Sequence, residues 1–382
     1  MDPAQQHPRG NVPEVASPEM GERLTAAWED GTLVLPLRED SSPVRLPGLH
    51  KSVLPASLAG PARAQLAGIG ERFAAWRVVP QGNAPVIVRI PHVPLDEMHQ
   101  DLTHEIAALT LIPSAVGPRP IAVEDDPALS PLGVPYVVTT EVPGTAAPPQ
   151  TWTAPHLDAH ARLLARLHSV PAPGRGPVSF GEDPWRAVHG QHSASLLAEV
   201  EAEIGAWRAK HAATISRHDL EPFLEAARER VAGVDAEVAE LDGLVLAHGD
   251  LCATNIMWER PAEGPEPLVR YIDFEWAQGD DPARDLAIIG GPVHGGPWYL
   301  PLEEESVDRF VRTYAQARAE QGELPEAVAD QSSLRNRMRA WTAYERTAML
   351  VHVASRTDAG SSHREVLPVL RSTLARELGL AD

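Results

Sequence analysis

The stretch HGDLCATN at residues 248–255, followed by IDFE at residues 272–275, decides the fold that this sequence predicts. Apolar runs flank the first stretch at residues 244–246 and 256–258, and a third apolar run at residues 268–272 leads into the second stretch. Short apolar runs of this kind are typical of β-strands. The polar residues of the first stretch are therefore expected on a loop that a strand holds at each end.

Three polar residues in these stretches indicate a specific chemistry. Asp250 precedes Asn255 by five positions, and Asp273, with the Phe that adjoins it, follows an apolar run. This order is typical of the catalytic loop and the metal-binding turn of phosphoryl-transfer enzymes, in which the first Asp orients and deprotonates an acceptor hydroxyl. The Asn and the second Asp hold magnesium against the nucleotide phosphates in such enzymes. We therefore expect Asp250 to be the catalytic base, Asn255 and Asp273 to be metal ligands, and Mg²⁺ with ATP or GTP to be the cofactors.

The residues around this motif resemble one enzyme family. Gly, where protein kinases have Arg, lies between His248 and Asp250, and the sequence DPARDLA follows at residues 281–287. Both features resemble the aminoglycoside phosphotransferase and choline kinase family, and the second is similar to the family's D-P-x-x-D-L-A signature. We expect His248 to anchor the loop by hydrogen bonding and Asp285 to brace the turn by accepting backbone N–H bonds. Because only a few residues separate Asp273 from this signature, the chain has no room for an activation segment, and a protein substrate is not expected.

A glycine pair in the N-terminal half is the predicted cover of the nucleotide. Gly68 and Gly70 precede the apolar run at residues 75–79, and a turn leads from there to a second strand-like run at residues 85–91. A lone G-x-G is typical of ordinary turns as well, but a position one hairpin before this strand is where a glycine-rich loop covers the phosphates. Gly68 and Gly70 are therefore candidate cofactor-binding residues.

Arg89 lies in the second of these strands, where the family and its protein kinase relatives usually have Lys. The chain contains only two lysines, Lys51 and Lys210, and neither is on this strand. The string VRIP around Arg89 is similar to the macrolide phosphotransferase branch of the family. Arg keeps the positive charge and can bind phosphate oxygens through two parallel hydrogen bonds, with a reach that differs from that of Lys. We expect Arg89 to contact the nucleotide phosphates and Glu105, on a predicted helix, to be its partner, with Glu97 as the alternative.

The apolar run at residues 134–140 predicts a strand that leads to Glu141 and Val142. In the resembling family this passage presents backbone N–H and C=O groups to the purine. Glu141 and Val142 are therefore candidate cofactor-binding residues. Because the contacts are made by the main chain, ATP and GTP remain alternatives.

The whole pattern predicts an α+β, two-lobed, protein-kinase-like fold, with a small β-rich N-lobe and a large, mainly helical C-lobe. We expect an N-terminal extension at residues 1–50, a nucleotide-binding N-lobe at residues 51–142, and a C-lobe at residues 143–382 that contains the catalytic loop and the acceptor-binding helices. Apolar periodicity also predicts one helical insertion and several further helices. The insertion is expected at residues 194–241 and the helices at residues 101–109, 157–168, 306–321 and 334–353.

Charge and composition argue against several classes of partner. The formal net charge of −20 disfavours nucleic acid, whose phosphate backbone needs a basic surface, and it suits a cationic substrate as well as it suits solubility. No apolar run approaches the length of a membrane span and the N-terminus has no apolar signal region, so a cytoplasmic location without membrane association is expected. The single cysteine, Cys252, excludes an intrachain disulfide and is expected to be a small packing residue.

In the resembling enzymes the acceptor lies between the catalytic loop, the helical insertion and the C-terminal helices. Acidic and aromatic side chains suit an amino sugar or another polyol, through charge pairing and ring stacking. The candidate acceptor-binding residues of this kind are Glu275, Trp276, Asp280, Trp298, Tyr299 and Glu303 to Glu305. His189 and His192 have a loose metal-ligand spacing but no second pair, and we expect them to be loop residues.

These features together predict a small-molecule O-phosphotransferase. It would move the γ-phosphate of Mg-ATP or Mg-GTP to a hydroxyl of an aminoglycoside, a macrolide or a sugar-bearing nucleoside antibiotic, and so confer resistance. A metabolic kinase for choline, a sugar or an amino alcohol is the second interpretation, and a nucleotide-binding scaffold without activity is the third. Because Asp250, Asn255 and Asp273 are all present, the third interpretation is disfavoured. The sequence leaves open which hydroxyl is phosphorylated and which oligomeric state the protein adopts.

Overall fold

The computed structural model divides into two compact units. The N-terminal unit ends at Pro143 and also includes Val178–Arg186, whereas the C-terminal unit contains Gly144–Pro177 and the chain from Ala187 onward. The sequence placed residues 178–186 in the C-lobe, and the structure groups them with the N-terminal unit. The structure describes residues 13–33, 60–98, 100–181, 183–188, 195–260, 266–289, 293, 295–296, 298–299, 301–357 and 361–380.

The N-terminal unit contains a five-stranded antiparallel sheet with two helices. Its strands are β1 Ala62–Ile69, β2 Phe73–Pro80, β3 Val86–Pro91, β4 Pro120–Glu124 and β5 Tyr136–Thr140, and its helices are α1 Pro18–Glu29 and α2 Leu102–Leu111. The strand order is β1-β2-β3-β5-β4. The strands and the helix predicted around Arg89 are therefore confirmed, and α1, β1 and β4 are additional elements.

Side-chain alternation along β3 separates the two faces of this sheet. Val88 and Ile90 are fully buried in a core that also contains Leu24 and Trp28 of α1. Because successive side chains of a strand point to opposite faces, Arg89 belongs to the other face. The sheet thus buries one face beneath α1 and presents Arg89 on the face that it shares with α2.

The segment at residues 13–33 is part of the N-terminal unit's core. Helix α1 begins after Ser17, whose hydroxyl accepts a hydrogen bond from the backbone N–H of Met20, with Pro18 as the first helical residue. Both features favour a helix start. The indole N–H of Trp76 on β2 donates to the carbonyl oxygen of Val15 at 2.8 Å. The apolar residues 34–37 that the sequence also assigned to an extension lie outside the described residues.

The C-terminal unit is mainly helical and contains two small sheets. Its strands are β6 Thr145–Ala146, β7 Gly176–Pro177, β8 Val245–Ala247, β9 Ile256–Glu259, β10 Leu268–Tyr271 and β11 Gln278–Asp280. Its helices are α3 Ala154–Leu167, α4 Leu196–Arg217, α5 Glu221–Ala232, α6 Asp235–Ala239, α7 Ala283–Ile289, α8 Glu304–Ala319, α9 Glu326–Ala329, α10 Gln331–Ser355 and α11 Ser361–Leu378. The sheets have the orders β10-β9-β6 and β7-β11-β8. The three strands predicted around the catalytic loop are confirmed as β8, β9 and β10.

The predicted helical insertion is broken into three helices. Helix α4 kinks at His211, where φ is −120°, and the chain turns at Asp219, where φ is +47°. A further turn at Gly233 and Val234 separates α5 from α6. None of the helices in the described part of the chain combines the length and the apolar character that a membrane span needs.

Candidate active site

The loop between β8 and β9 is anchored by His248, which is fully buried. Its Nε2 lies 3.0 Å from the carbonyl oxygen of Ile272, and its Nδ1 lies 3.3 Å from the backbone nitrogen of Asp250. A carbonyl can only accept, so Nε2 carries the proton and Nδ1 accepts from Asp250. Burial lowers the pKa of His248, in agreement with a neutral ring. The histidine therefore links the catalytic loop to the turn that contains Asp273.

Gly249 is required by the conformation of this loop. Its φ is +80°, and a Cβ at this position would lie 2.3 Å from the carbonyl oxygen of Trp276. Residues with a side chain rarely adopt this φ, and the contact is far shorter than any Cβ tolerates. The close approach of the Trp276 carbonyl therefore explains why a residue larger than Gly cannot stand between His248 and Asp250.

Asn255 holds Asp250 in place. Its Nδ2 donates to the backbone oxygen of Asp250 at 2.8 Å and to the carboxylate Oδ2 at 3.0 Å. A 3₁₀ turn at Ala253–Asn255 brings the chain back toward Asp250, which gives the five-residue spacing its physical reason. Because Nδ2 donates to Asp250, the amide oxygen is the atom of Asn255 that can ligate a cation.

Asp273 follows β10 in a strained backbone conformation. Its φ is +68°, a value that non-glycine residues seldom adopt and that is often found at functional sites. The adjoining Phe274 is fully buried, and its ring centroid lies 4.4 Å from that of His248. The backbone nitrogen of Ile272 donates to the carbonyl oxygen of Asn255 at 3.0 Å. Two hydrogen bonds and one ring contact thus join the Asp273 turn to the loop that carries Asp250 and Asn255.

Asp285 lies under the catalytic loop and is fully buried. Its Oδ2 accepts the backbone N–H of His248 at 2.7 Å, and its Oδ1 accepts the backbone N–H of Gly249 at 2.9 Å. The carboxylate therefore stabilises the loop from another segment of the chain, helix α7. Burial raises the pKa of Asp285, but the hydrogen bonds that it accepts outweigh burial and lower it, so the group is ionised.

The pKa of Asp250 is shifted in the opposite direction from that of Asp285. Desolvation by the surrounding protein, followed by the charges of Asp273 and Glu345, raises its pKa to about 7. The hydrogen bond from Asn255 lowers the pKa but does not outweigh these effects. A carboxyl group with a pKa near 7 can both accept and release a proton at neutral pH. Asp250 therefore has the titration behaviour of a general base.

Asp280 is a structural residue, and its prediction as an acceptor-binding residue is corrected here. It is fully buried, with Oδ1 2.7 Å from Nε of Arg175 and Oδ2 3.1 Å from Nη1 of Arg284. Arg175 also pairs with Glu199 of α4, and Arg284 lies 3.3 Å from Glu345 of α10. The two oxygens are thus used in a buried ionic network that joins α4, β11, α7 and α10.

Other predicted acceptor residues lie beside the loop or on the surface. The carbonyl oxygen of Trp298 accepts the backbone N–H of Ala253 at 2.7 Å, and the ring of Tyr299 stacks on the guanidinium of Arg346 at 3.5 Å. Glu275 and Trp276 are partly exposed in the turn after Phe274. Glu303 to Glu305 are exposed at the start of α8, where Glu304 pairs with Arg335.

In the N-terminal unit, the predicted pairing of Arg89 with Glu105 is confirmed. Nη1 of Arg89 lies 2.7 Å from both carboxylate oxygens of Glu105, and the guanidinium stacks on the ring of Phe73 at 4.3 Å. Glu97, the alternative partner, is exposed in a short 3₁₀ turn. The ion pair and the ring fix the direction of the Arg89 side chain, whereas its contact with phosphates stays a prediction.

The remaining candidates for nucleotide binding lie at two places in this unit. Gly68 lies near the end of β1, and Gly70 lies in the turn to β2, where its N–H donates to the carbonyl of Phe73 at 2.8 Å. Neither glycine has a positive φ, and a Cβ at Gly68 would meet no neighbour within 4 Å. Glu141 and Val142 follow β5, and the carboxylate of Glu141 pairs with Arg77 at 2.5 Å. The turn itself therefore does not require glycine at residue 68.

The donor set around Asp250 suits magnesium. The amide oxygen of Asn255 and the carboxylate of Asp273 are hard oxygen ligands, and Mg²⁺ is commonly bound by one or two such groups together with substrate phosphates and water. No group of three or more His, Cys, Asp and Glu residues in the described part of the chain is arranged to hold a metal ion. His189 and His192, which the sequence assigned to a loop, lie outside the described residues.

Cys252 is a packing residue of the catalytic loop, as predicted from the sequence. It is buried, and its Sγ lies 3.0 Å from Oγ1 of Thr254. Burial raises the pKa of the thiol well above its usual range, so the thiolate needed for nucleophilic chemistry is not formed near neutral pH.

Solved structures of low sequence identity share this fold. Ethanolamine kinase from Plasmodium vivax is 14% identical with a TM-score of 0.55, over 83% of this chain and 81% of that chain. The GDP and kanamycin complex of APH(2")-IIIa is 17% identical with a TM-score of 0.53, over 83% and 93% of the two chains. Choline kinase from Cryptosporidium parvum is 12% identical with a TM-score of 0.53, over 87% and 90%. These similarities confirm the predicted α+β, kinase-like fold.

A comparison with models of protein families shows to which family the chain belongs. A search of curated proteins by sequence gave no significant match. The model of the phosphotransferase enzyme family (APH) matches residues 63–329, a span that includes Arg89, Asp250, Asn255, Asp273 and Asp285. The chain therefore belongs to the phosphotransferase enzyme family.

Proposed function

We propose that this protein transfers the γ-phosphoryl group of a magnesium-bound ATP or GTP to a hydroxyl group of a small molecule. The observation that supports this most directly is the arrangement of Asp250, Asn255 and Asp273. Asn255 binds the Asp250 carboxylate at 3.0 Å, and the same residue accepts a hydrogen bond from the chain just before Asp273. Asn255 thus links the proposed base, Asp250, to the turn that contains the second proposed metal ligand, Asp273.

In the proposed step, Asp250 accepts a hydrogen bond from the acceptor hydroxyl and aligns its oxygen with the γ-phosphorus. A bond forms between the acceptor oxygen and phosphorus while the bond from phosphorus to the bridging oxygen breaks. The hydroxyl proton passes to Asp250, and the nucleoside diphosphate leaves with the bridging oxygen. Because the pKa of Asp250 is raised to about 7, the carboxyl group can return this proton to water after each turnover.

Other residues bind the nucleotide in this proposal. Asn255 and Asp273 would hold Mg²⁺, which offsets the negative charge of the phosphate oxygens when it is bound. Arg89 would contact the phosphates, in the direction that Glu105 and Phe73 fix. Its guanidinium forms planar paired hydrogen bonds, whereas the Lys usual at this position acts as a point charge.

For the acceptor we propose an alcohol that also carries a positive charge, with an aminoglycoside-like antibiotic as the first candidate. The kanamycin, ethanolamine and choline named for the similar structures are all cationic alcohols. The acidic Glu345 is close enough to raise the pKa of Asp250, and Tyr299 lies near both. The ring of Tyr299 is already stacked on Arg346, but the side chain of Glu345 is 21% exposed beside Arg284, and a carboxylate there suits an amine-bearing acceptor. Macrolides and nucleoside antibiotics remain within the proposed antibiotic class.

A metabolic kinase for choline, ethanolamine or a sugar is the second candidate, because two of the similar structures are such kinases. The experiment that separates the candidates measures ADP and GDP release from Mg-ATP and Mg-GTP with each acceptor. The panel contains aminoglycosides, macrolides, nucleoside antibiotics, choline, ethanolamine and sugars. Turnover on one antibiotic class supports a resistance enzyme, and turnover only on a metabolite moves the assignment to metabolism. Nucleotide binding without turnover on any acceptor argues for a scaffold without activity.

Asp250→Asn is the variant that tests the base. The new amide oxygen can still accept from Asn255, so the fold and nucleotide binding are expected to be retained. Loss of a general base lowers kcat by about 10²- to 10⁴-fold. Asp235→Asn is the matched control, because Asp235 accepts hydrogen bonds from Ser195 and Leu197 at the start of α4 and has no proposed role in the reaction. A kcat near that of the wild type in Asp250→Asn would remove Asp250 from the role of base.

A further inference from the structure

A buried pair of residues that the proposed reaction does not use lies behind Asp285. His168 follows α3 and Tyr314 is on α8, and both side chains are fully buried. Nε2 of His168 lies 3.0 Å from Oδ2 of Asp285, and Nδ1 of His168 lies 2.8 Å from Oη of Tyr314. The two contacts use both ring nitrogens of His168.

Only one arrangement of protons satisfies every atom in this chain of contacts. The ionised carboxylate of Asp285 has no proton to give, so Nε2 of His168 must donate to it. In a neutral ring the other nitrogen, Nδ1, then accepts, and the hydroxyl of Tyr314 donates to it. Tyr314 thereby fixes the tautomer in which His168 donates to Asp285.

The surroundings favour the neutral ring. Burial is the largest effect on the pKa of His168 and lowers it, and the positive charge of Arg318 acts in the same direction. The negative charges of Asp285 and Asp281 raise the pKa without reversing the direction. The contact with Asp285 is therefore a hydrogen bond from a neutral donor to a charged acceptor, which is stronger than one between neutral groups.

We propose that His168 is a positioning residue that holds the catalytic loop through Asp285, with Tyr314 fixing the donor. Oδ2 of Asp285 accepts from both His168 and the backbone N–H of His248, while Oδ1 accepts from Gly249. Three donors thus fix the plane of one carboxylate. Two of these three donors belong to the catalytic loop itself, so His168 anchors the carboxylate from outside the loop. The catalytic consequence, though not the structural one, depends on the proposed function.

The test measures hydrogen–deuterium exchange of the full-length protein in peptides that contain residues 248–250, together with kcat and KM on the acceptor found in the panel. His168→Phe keeps the ring volume and removes both hydrogen bonds, and exchange of these amides is expected to become about 10- to 100-fold faster, as the loss of a hydrogen bond to a charged group implies. We expect kcat to fall about tenfold or more, since small displacements of a catalytic group are costly, while KM for the nucleotide stays near that of the wild type.

Two further variants separate positioning from general loss of packing. His168→Gln keeps an N–H donor near the place of Nε2 and is expected to restore most of the protection and of kcat. His160→Phe is the matched control, because His160 is equally buried on α3, the helix that His168 follows, but its Nδ1 lies 2.7 Å from the hydroxyl of Tyr271. Its exchange at residues 248–250 and its kcat are expected to match those of the wild type.

Several outcomes would overturn the proposal. They are unchanged exchange in His168→Phe, equal exchange in His168→Phe and His168→Gln, or an equal effect of His160→Phe. If His168→Phe does not fold, Tyr314→Phe replaces it, because it removes only the hydroxyl that donates to Nδ1, and unchanged exchange there also contradicts the proposal. Exchange is measured without substrate, so it tests the positioning role even if no acceptor is phosphorylated and the proposed function fails.

Discussion

The buried histidine His160 makes the acid stability of the protein predictable. It is fully buried on α3, with Nδ1 2.7 Å from the hydroxyl of Tyr271. Tyr271 donates this hydroxyl to the carbonyl oxygen of His160 at 3.1 Å, so Nδ1 of the neutral ring carries the proton and donates in return. Burial is the main reason that the pKa of His160 falls from 6.5 to about 3.

The direction of the pH effect follows from this difference in pKa. Above pH 6.5 the ring of His160 is neutral in both the folded and the unfolded chain, and its contribution to the free energy of unfolding does not change with pH. Below pH 6.5 the unfolded chain binds a proton that the folded chain does not bind until about pH 3, so stability is lost as the pH falls. At about 1.4 kcal/mol for each unit of pKa, the loss is roughly 2 kcal/mol at pH 5 and approaches its full value of roughly 5 kcal/mol below pH 3.

His160→Phe removes the titrating group and keeps a ring of similar size. We expect the free energy of unfolding of this variant to fall by about 2 kcal/mol less than that of the wild type between pH 7 and pH 5. Urea unfolding followed by far-ultraviolet circular dichroism at the two pH values gives this difference, and any constant effect of the substitution on packing cancels. Tyr271→Phe is the control, since it leaves His160 buried and should keep most of the pH dependence. Equal losses in the wild type and His160→Phe would show that the folded protein binds the proton on His160 near pH 6, and would refute the reasoning.

Three further predictions concern the site itself. Asp273→Ala should remove the gain in nucleotide affinity that Mg²⁺ provides, because a metal ligand is lost; isothermal titration with and without Mg²⁺ checks this, and an undiminished gain would contradict the assignment. Gly249→Ala should cost more than about 2 kcal/mol of stability in chemical unfolding and most of the activity, since the φ is +80° and the Cβ would meet Trp276 at 2.3 Å. Gly205→Ala, exposed within α4 with no neighbour near its Cβ, is its control and should stabilise by about 0.5–1 kcal/mol. Arg89→Lys should raise KM for the nucleotide more than it lowers kcat in steady-state kinetics, because the charge is kept and the paired hydrogen bonds are lost; an unchanged KM would argue against phosphate contact.

The sequence predicted the parts of the fold in which local pattern and tertiary structure agree. Residues 244–246, 256–258 and 268–272 are short apolar runs bounded by polar residues, and each overlaps a strand, β8, β9 or β10, beside the catalytic loop. The elements that were missed have weaker local signals. Helix α11 contains Pro368, a residue that normally argues against a helix interior, and α1 is short but begins with the favourable pair Ser17 and Pro18. The serine and proline could have predicted α1.

Whether a contact of the candidate site could be predicted depends on how far apart its two residues lie in the sequence. Asp250 and Asn255 are five residues apart, so their contact is local and their spacing is visible in the sequence. Arg175 and Asp280 are separated by 105 residues, and no pattern in the chain indicates that they form a buried ion pair. An acidic residue beside a predicted active site suggests substrate binding, and only its burial between two arginines corrects this interpretation of Asp280. The pairing of buried charges that lie far apart in the chain therefore could not be predicted from the sequence.

Asp285 and Asp250 differ in the hydrogen-bond donors that surround their carboxyl groups. Asp285 accepts hydrogen bonds from His168, His248 and Gly249, and their combined effect lowers its pKa despite burial. The Asp250 carboxylate accepts hydrogen bonds from the Asn255 amide and, more weakly, from the Cys252 thiol; desolvation and the nearby charges of Asp273 and Glu345 raise its pKa to about 7. Opposite shifts of the pKa values of these two carboxyl groups are consistent with the different roles proposed for them. The one that stays charged at every physiological pH can hold a loop in place, whereas the one that titrates near neutrality can exchange a proton with a substrate. Since Asp285 binds the backbone of His248 and Gly249, the two residues that precede Asp250, its ionised state supports the position that the proposed base role of Asp250 requires.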